Sequence, residues 1–113
     1  MTLDERKSTP DLTTILNQLW ARFLPDIYER VAILETAAQA CTAGQMTREQ
    51  REAAHAAAHK LAGSLGTFDL GRGSELAREF EGLCASEESC TGAHAQQLTA
   101  IAAEIRTVID SRK

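Results

Sequence analysis

His59 stands on a stretch of sequence whose pattern predicts a helix with one buried face. Apolar residues recur there every three or four positions, namely Ala54, Ala58, Leu61, Leu65 and Phe68. At about 100° per residue, His59 lies roughly 140° from the centre of that apolar face. We therefore expect its imidazole to face solvent or a groove, where it can serve as a nucleophile or as a metal ligand.

The neighbours of His59 on this predicted face are unusually small. Apart from His55, the residues within two turns are Ala56, Ala62, Gly63 and Gly66. Each glycine inside a helix costs roughly 1 kcal/mol relative to alanine, so a pair of them needs a reason. Either another macromolecule brings its backbone close to the imidazole, or two helices of this chain pack closely at the glycines.

Glu81 is the candidate partner of His59. The connection to the next predicted helix is centred near Leu70, and His59 and Glu81 lie at equal distances before and after it. In a helical hairpin they reach a similar height, and both lie roughly 140° from their apolar centres. A carboxylate there would orient the imidazole and leave its other nitrogen as an exposed nucleophile. The alternative is that Glu81 is solvated and points elsewhere.

A metal site is a rival interpretation of the same residues. His55 and His59 are four positions apart, a spacing that can chelate a metal, and Glu81 or Glu52 could complete the site. A second, weaker cluster comprises Cys84, Cys90 and His94. The pair lacks the adjacent glutamate of zinc proteases. We predict that no metal is bound.

Helices must position these residues, and the pattern predicts an all-α, antiparallel up-down four-helix bundle with a short extra N-terminal helix. We expect residues 1–9 to form a flexible arm and residues 10–113 to form the bundle. Thr9 caps the short helix, Pro10 begins it and Pro25 ends or kinks it. Thr47 and Gln50 fit a capping box that opens the helix carrying His59.

Composition excludes several classes of protein. Aromatic residues make up only 4% of the 113 residues and alanine is abundant, which favours helices over a β-sandwich or barrel. The net charge of −4 argues against a nucleic-acid binder. No apolar run approaches a membrane span, and the polar N-terminus is not a secretory signal. Three cysteines at no familiar spacing are expected to be reduced, so we expect a cytoplasmic protein, with a monomer as the default.

The run His59-Lys60-Leu61-Ala62-Gly63-Ser64-Leu65-Gly66 resembles the signature of histidine-containing phosphotransfer (HPt) domains. That signature has an apolar residue two positions after the histidine, often lysine at plus three, glycine at plus four and a small residue at plus five. Leu61, Gly63 and Ser64 match it. The family often places Gln or Glu on the following helix against the histidine, which corresponds to Glu81. Ala62 departs from the pattern, because many members have lysine there.

The resemblance implies a phosphorelay intermediate. His59 would accept a phosphoryl group from a receiver-domain aspartate and pass it to another receiver-domain aspartate. The partners implied are response-regulator receiver domains and a hybrid histidine kinase, with Mg²⁺ on the receiver and no cofactor on this chain. The implied docking face comprises His55, Ala56, Lys60, Ala62, Gly63, Gly66 and Thr67.

The sequence contains no glycine-rich phosphate loop, so we expect neither ATP binding nor autokinase activity. Two alternatives to phosphotransfer remain open. One is a module that binds receiver domains without turnover. The other is a metal-binding bundle that uses His55 and His59.

Overall fold

Long amphipathic segments joined by short connections give this chain four helices. The computed structural model describes residues 11–85 and 92–112. The helices are α1 (Leu12–Thr42), α2 (Arg48–Thr67), α3 (Gly71–Leu83) and α4 (Gly92–Ser111). Each helix packs against its neighbours along the chain, and α4 returns to pack against α1. The result is the predicted up-down bundle, and the described residues contain no strand.

The core of the bundle is built from the apolar faces that the sequence predicted. Its largest fully buried side chains include Phe80, Ile27, Leu34, Leu61, Leu65, Leu98 and Ile105. Small residues fill the remaining core positions on α2, where Ala54, Ala57 and Ala58 are buried. Cys41 and Cys84 are also buried. Cys90 lies outside the described residues.

The predicted short N-terminal helix is wrong as a separate element. α1 runs without interruption through Pro25 and is 31 residues long. A proline inside a helix removes one backbone hydrogen bond, to the carbonyl four residues earlier. Here that carbonyl belongs to Ala21, and both Ala21 and Pro25 are exposed, so water can replace the missing donor. Trp20 and Ile27 are buried on either side of the proline and hold the helix against the bundle.

The N-cap of α1 is Asp11, whose side chain accepts a hydrogen bond from the backbone N–H of Thr14 at 2.7 Å. Thr9 was predicted as this cap, and it lies with Pro10 and the predicted arm outside the described residues. Aspartate caps a helix as well as threonine does, so composition at this end could not separate the two. In the described part of the chain, no helix is both long and apolar enough to cross a membrane.

Candidate functional site

α2 presents His59 on its exposed side because the helix is anchored at its start and buried along the opposite face. The predicted capping box is confirmed. The Gln50 N–H donates to the Thr47 hydroxyl at 3.0 Å, and the Thr47 N–H donates to the Gln50 side chain at 2.9 Å. Ala58, Leu61 and Leu65 are fully buried. The His59 side chain is 74% exposed, as its angle from the apolar face predicted.

The structure brings Glu81 of α3 to the imidazole of His59. Nδ1 of His59 and Oε2 of Glu81 are 2.9 Å apart, and the glutamate side chain is only 24% exposed. An ionised carboxylate is a hydrogen-bond acceptor only, so Nδ1 must carry the proton of this bond. In the neutral ring, Nε2 then has a free lone pair. This nitrogen is therefore the one available to attack an electrophile.

The register between α2 and α3 is set by their tight connection. The Leu70 N–H donates to the Leu65 carbonyl at 2.8 Å, and Asp69 takes a positive φ of 61°. One turn into α3, the buried Ser74 hydroxyl donates to the Ala62 carbonyl at 2.7 Å. These bonds fix the two helices side by side, which places Glu81 level with His59.

Gly73 allows the two helices to approach closely. A Cβ atom at this position would lie 2.9 Å from Cδ1 of Leu65 and 3.2 Å from Cγ1 of Val108. By contrast, a Cβ at Gly63 would meet no atom of this chain within 4 Å, and one at Gly66 would make only an ordinary contact with Ser74. Helix packing inside the chain therefore favours glycine at position 73 but places no such demand on position 63.

Most of the predicted docking face is exposed around His59. Ala56, Lys60, Gly63, Gly66 and Thr67 are all exposed, and His55 is half-buried.

Ala62 was predicted to lie on the docking face, and this is wrong, because only 5% of the residue is exposed. Its position on the helix lies roughly 80° from the apolar centre of α2, on the side against which α3 packs. The departure from the family pattern therefore falls at the α2–α3 contact.

Lys60 faces a different side of α2 from Glu81. It lines a groove between α1 and α2, together with Ala53, Ala56, Ala57 and residues of α1 that include Asp26, Glu29, Arg30 and Ile33. The charge of Lys60 is thus directed toward α1. The positive charge that many family members carry three positions after the histidine is not replaced by Lys60 at the Glu81 side.

His55 is the second histidine near Glu81. Its Nε2 lies 3.8 Å from Oε2 of Glu81, the same oxygen that His59 contacts. The sequence placed His55 on the docking face and grouped it with His59 and Glu81 only as a possible metal site; that both rings lie near one oxygen of Glu81 depends on how α3 packs against α2. Among residues 11–85 and 92–112, no group of three or more His, Cys, Asp or Glu side chains is arranged to hold a metal ion.

Comparison with known proteins agrees with the motif. A sequence model of the Hpt domain matches residues 18–111, which is most of the chain and includes both His59 and Glu81. Protein RcaC of Microchaete diplosiphon is 30% identical over 95 residues, which are 84% of this chain and 15% of that protein. The chain thus spans a small part of this relative. No solved structure gives a significant match.

Proposed function

Because this chain belongs to the family of histidine-containing phosphotransfer domains, we propose that His59 accepts a phosphoryl group from the aspartate of one receiver domain and passes it to that of another. Hpt domains are phosphocarriers of two-component relays rather than kinases, and their partners are two-component proteins. The exposed Nε2 of His59, with Glu81 on Nδ1, is the observation that supports this role.

The proposed transfer is a single displacement at phosphorus. The lone pair of His59 Nε2 forms a P–N bond while the P–O bond to the receiver aspartate breaks, and the aspartate leaves as a carboxylate with the bonding electrons. The Nδ1 proton stays in place, so the phosphorylated ring carries a positive charge. The Glu81 carboxylate, 2.9 Å from Nδ1, stabilises that charge. In the onward step, the neutral imidazole is the leaving group.

Docking of the receiver would occur over the small residues beside His59. Phosphoryl transfer depends mainly on in-line positioning and charge stabilisation, so a flat surface that admits a partner backbone is sufficient. The empty space over Gly63 supports this use. Mg²⁺ held by the receiver would neutralise the charge on the transferring group.

Autokinase activity is not part of this proposal. The sequence has no G-x-x-x-x-G-K-[ST] loop to hold nucleotide phosphates. We expect that incubation of the purified protein with labelled ATP leaves it unlabelled.

The proposal is tested by the variant His59→Gln with phosphorylated receiver domains as donors. Glutamine keeps a polar side chain on the exposed face but has no nucleophilic ring nitrogen, so we expect labelling to be abolished. His94→Gln removes a histidine from α4 and should be labelled like the parent protein. Labelling retained in His59→Gln would rule out His59 as the acceptor.

A receiver-binding module without turnover is the second candidate, and Ala62 in place of the frequent lysine is the observation that favours it. The two candidates differ in the product. Phosphotransfer predicts acid-labile, base-stable phosphate on the protein after incubation with a phosphorylated receiver. A module without turnover predicts a stable complex with a receiver and no such phosphate.

A further inference from the structure

His55 shares an oxygen of Glu81 with His59, and this arrangement is not explained by the phosphoryl acceptor and its orienting carboxylate alone. Oε2 of Glu81 lies 2.9 Å from Nδ1 of His59 and 3.8 Å from Nε2 of His55. The His59 ring is at hydrogen-bond distance from this oxygen, whereas the His55 ring is at ion-pair distance. The His55 side chain is 42% exposed and lies one helical turn before His59.

On α2, few basic side chains lie close to His59. Within one turn of His59 on α2, the basic side chains are His55 and Lys60. Lys60 lines the groove toward α1, and the plus-three position is the buried Ala62. His55 is therefore the basic residue of this stretch that faces the carboxylate.

Other charged groups around His55 come from the two helices packed against α2 and from α2 itself. On α3 these are Glu81 and the exposed Arg78, one turn before it. On α2, Arg51 donates to the Cys84 carbonyl at 3.1 Å, and Glu52 pairs with Arg48 at 3.1 Å. The charged residues of α1 near α2 are Asp26, Glu29 and Arg30, which lie in the groove with Lys60 on the other side of the helix.

We propose that His55 is a positioning residue which, as an imidazolium, holds Glu81 and supplies the positive charge beside phosphorylated His59. This inference rests on the proposed function. The phosphoryl group adds about two negative charges at neutral pH, and the phosphorylated ring adds one positive charge. The site thus becomes more negative by about one unit, and a cation one turn away stabilises this state.

The proposal predicts that the equilibrium distribution of the phosphoryl group between the receiver aspartate and His59 depends on pH. Imidazole is the side chain that changes charge between about pH 5 and 8. A protonated ring at His55 favours phosphorylated His59, and a neutral ring does not. The size of the effect should be about threefold, as for two charges roughly one helical turn apart near a solvated surface.

The experiment measures the equilibrium ratio of phosphohistidine to receiver phosphoaspartate from about pH 6 to pH 8. Relative to His55→Gln, the parent protein should show a ratio up to about threefold higher at the acid end of this range, and the difference should shrink as the pH rises. His55→Lys should keep the higher ratio at every pH, because its charge does not titrate in this range. His94→Gln should follow the parent protein. A ratio in His55→Gln equal to that of the parent at every pH overturns the proposal.

A second measurement needs no receiver. Phosphoramidate can phosphorylate a histidine directly, and the hydrolysis of the P–N bond is then followed over the same pH range. We expect the phosphohistidine to last about threefold longer near pH 6 in the parent than in His55→Gln. If the lifetimes differ but no phosphoryl group is exchanged with a receiver, the role of His55 is supported and the relay function is refuted. If exchange with a receiver occurs but the lifetimes and ratios of the parent and His55→Gln are identical, only the role of His55 is refuted.

Discussion

Two glycines of the α2–α3 hairpin differ in what surrounds them, and this difference separates packing from docking. Gly73 is buried against Leu65 and Val108, whereas nothing in this chain lies near the place of a Cβ at Gly63. Both have ordinary helical backbone, since among the described glycines a positive φ is found at Gly44. The structural need for Gly73 is therefore internal, and the fold itself does not explain Gly63.

We predict that Gly63→Ala stabilises the protein and slows phosphotransfer. Alanine favours the helix by up to about 1 kcal/mol, and its methyl group meets no atom of this chain. The same methyl group stands on the surface beside His59, where a receiver would approach. Urea unfolding should show the gain in stability, and the rate of phosphotransfer from a receiver should fall.

Gly73→Ala is the matched comparison. Its Cβ would lie 2.9 Å from Cδ1 of Leu65, so the buried side chains must shift, at a cost of about 1–3 kcal/mol that exceeds the helical gain of up to about 1 kcal/mol. We expect lower stability at this position. Equal transfer rates for Gly63→Ala and the parent protein would contradict the docking role of the surface around Gly63.

At the scale of elements, a polar cluster joins α1 to α4 at the side of the bundle away from His59. Arg106 of α4 donates two hydrogen bonds of 2.7 Å to the carboxylate of Glu35 on α1. Its guanidinium carbon also lies 5.4 Å from the ring centre of Tyr28, and the Tyr28 hydroxyl donates to Asp110. The hydrogen bond from Arg106 lowers the pKa of Glu35, and partial burial opposes this.

The lowered pKa gives a pH-dependent contribution to stability. A carboxyl group with a depressed pKa stabilises the fold above its unfolded value, near 4.5, and loses this effect as pH falls through the folded value. Both side chains are about one-third exposed, so solvent limits the contribution to about 1 kcal/mol.

We predict that Glu35→Gln lowers the free energy of unfolding at neutral pH and that its difference from the parent vanishes in strong acid. Denaturant unfolding at a series of pH values below neutrality tests this. Glu29→Gln, an exposed change on the same helix, should lack the trend. A deficit in Glu35→Gln that persists below the folded pKa would point to lost packing instead.

The features that the sequence predicted best are those determined by residues close together in the chain. Thr47 and Gln50 satisfy each other over three residues, and His59 follows from the angle of one helix. Pro25 does not end the helix, because the burial of Trp20 and Ile27 on both sides of it outweighs the one lost backbone hydrogen bond. The burial of Ala62 and the proximity of His55 to Glu81 depend on where α3 lies. The spacing of apolar residues along α2 does not determine that position.

At the scale of the whole molecule, Arg112 connects the two ends of the described chain. Its guanidinium carbon lies 4.7 Å from the ring centre of Trp20 and 5.7 Å from that of Phe68, and its Nη2 donates to Asn17 at 3.2 Å. The two rings themselves meet edge to face at 5.2 Å. The end of α4 thus holds α1 at the level of the α2–α3 connection.

We predict that Arg112→Ala lowers the melting temperature by an amount that corresponds to about 1 kcal/mol. It should also shift the emission of Trp20 to longer wavelength, because water replaces the guanidinium over the ring. Trp20 is the single tryptophan, so its fluorescence reports this contact directly. Arg22→Ala, an exposed change on α1, is the control. Unchanged melting and emission in Arg112→Ala would show that the stacking does not stabilise the bundle.

His59 and Glu81 are only 22 residues apart along the chain, and His55 lies within the same hairpin. The residues of the candidate site therefore come from one contiguous stretch of sequence, whereas the groove toward α1 is also lined by residues from a separate part of the sequence. Substitutions in α1 can change this groove without altering the geometry at the imidazole. The imidazole site and the groove toward α1 can accordingly evolve, or be engineered, separately within one small domain.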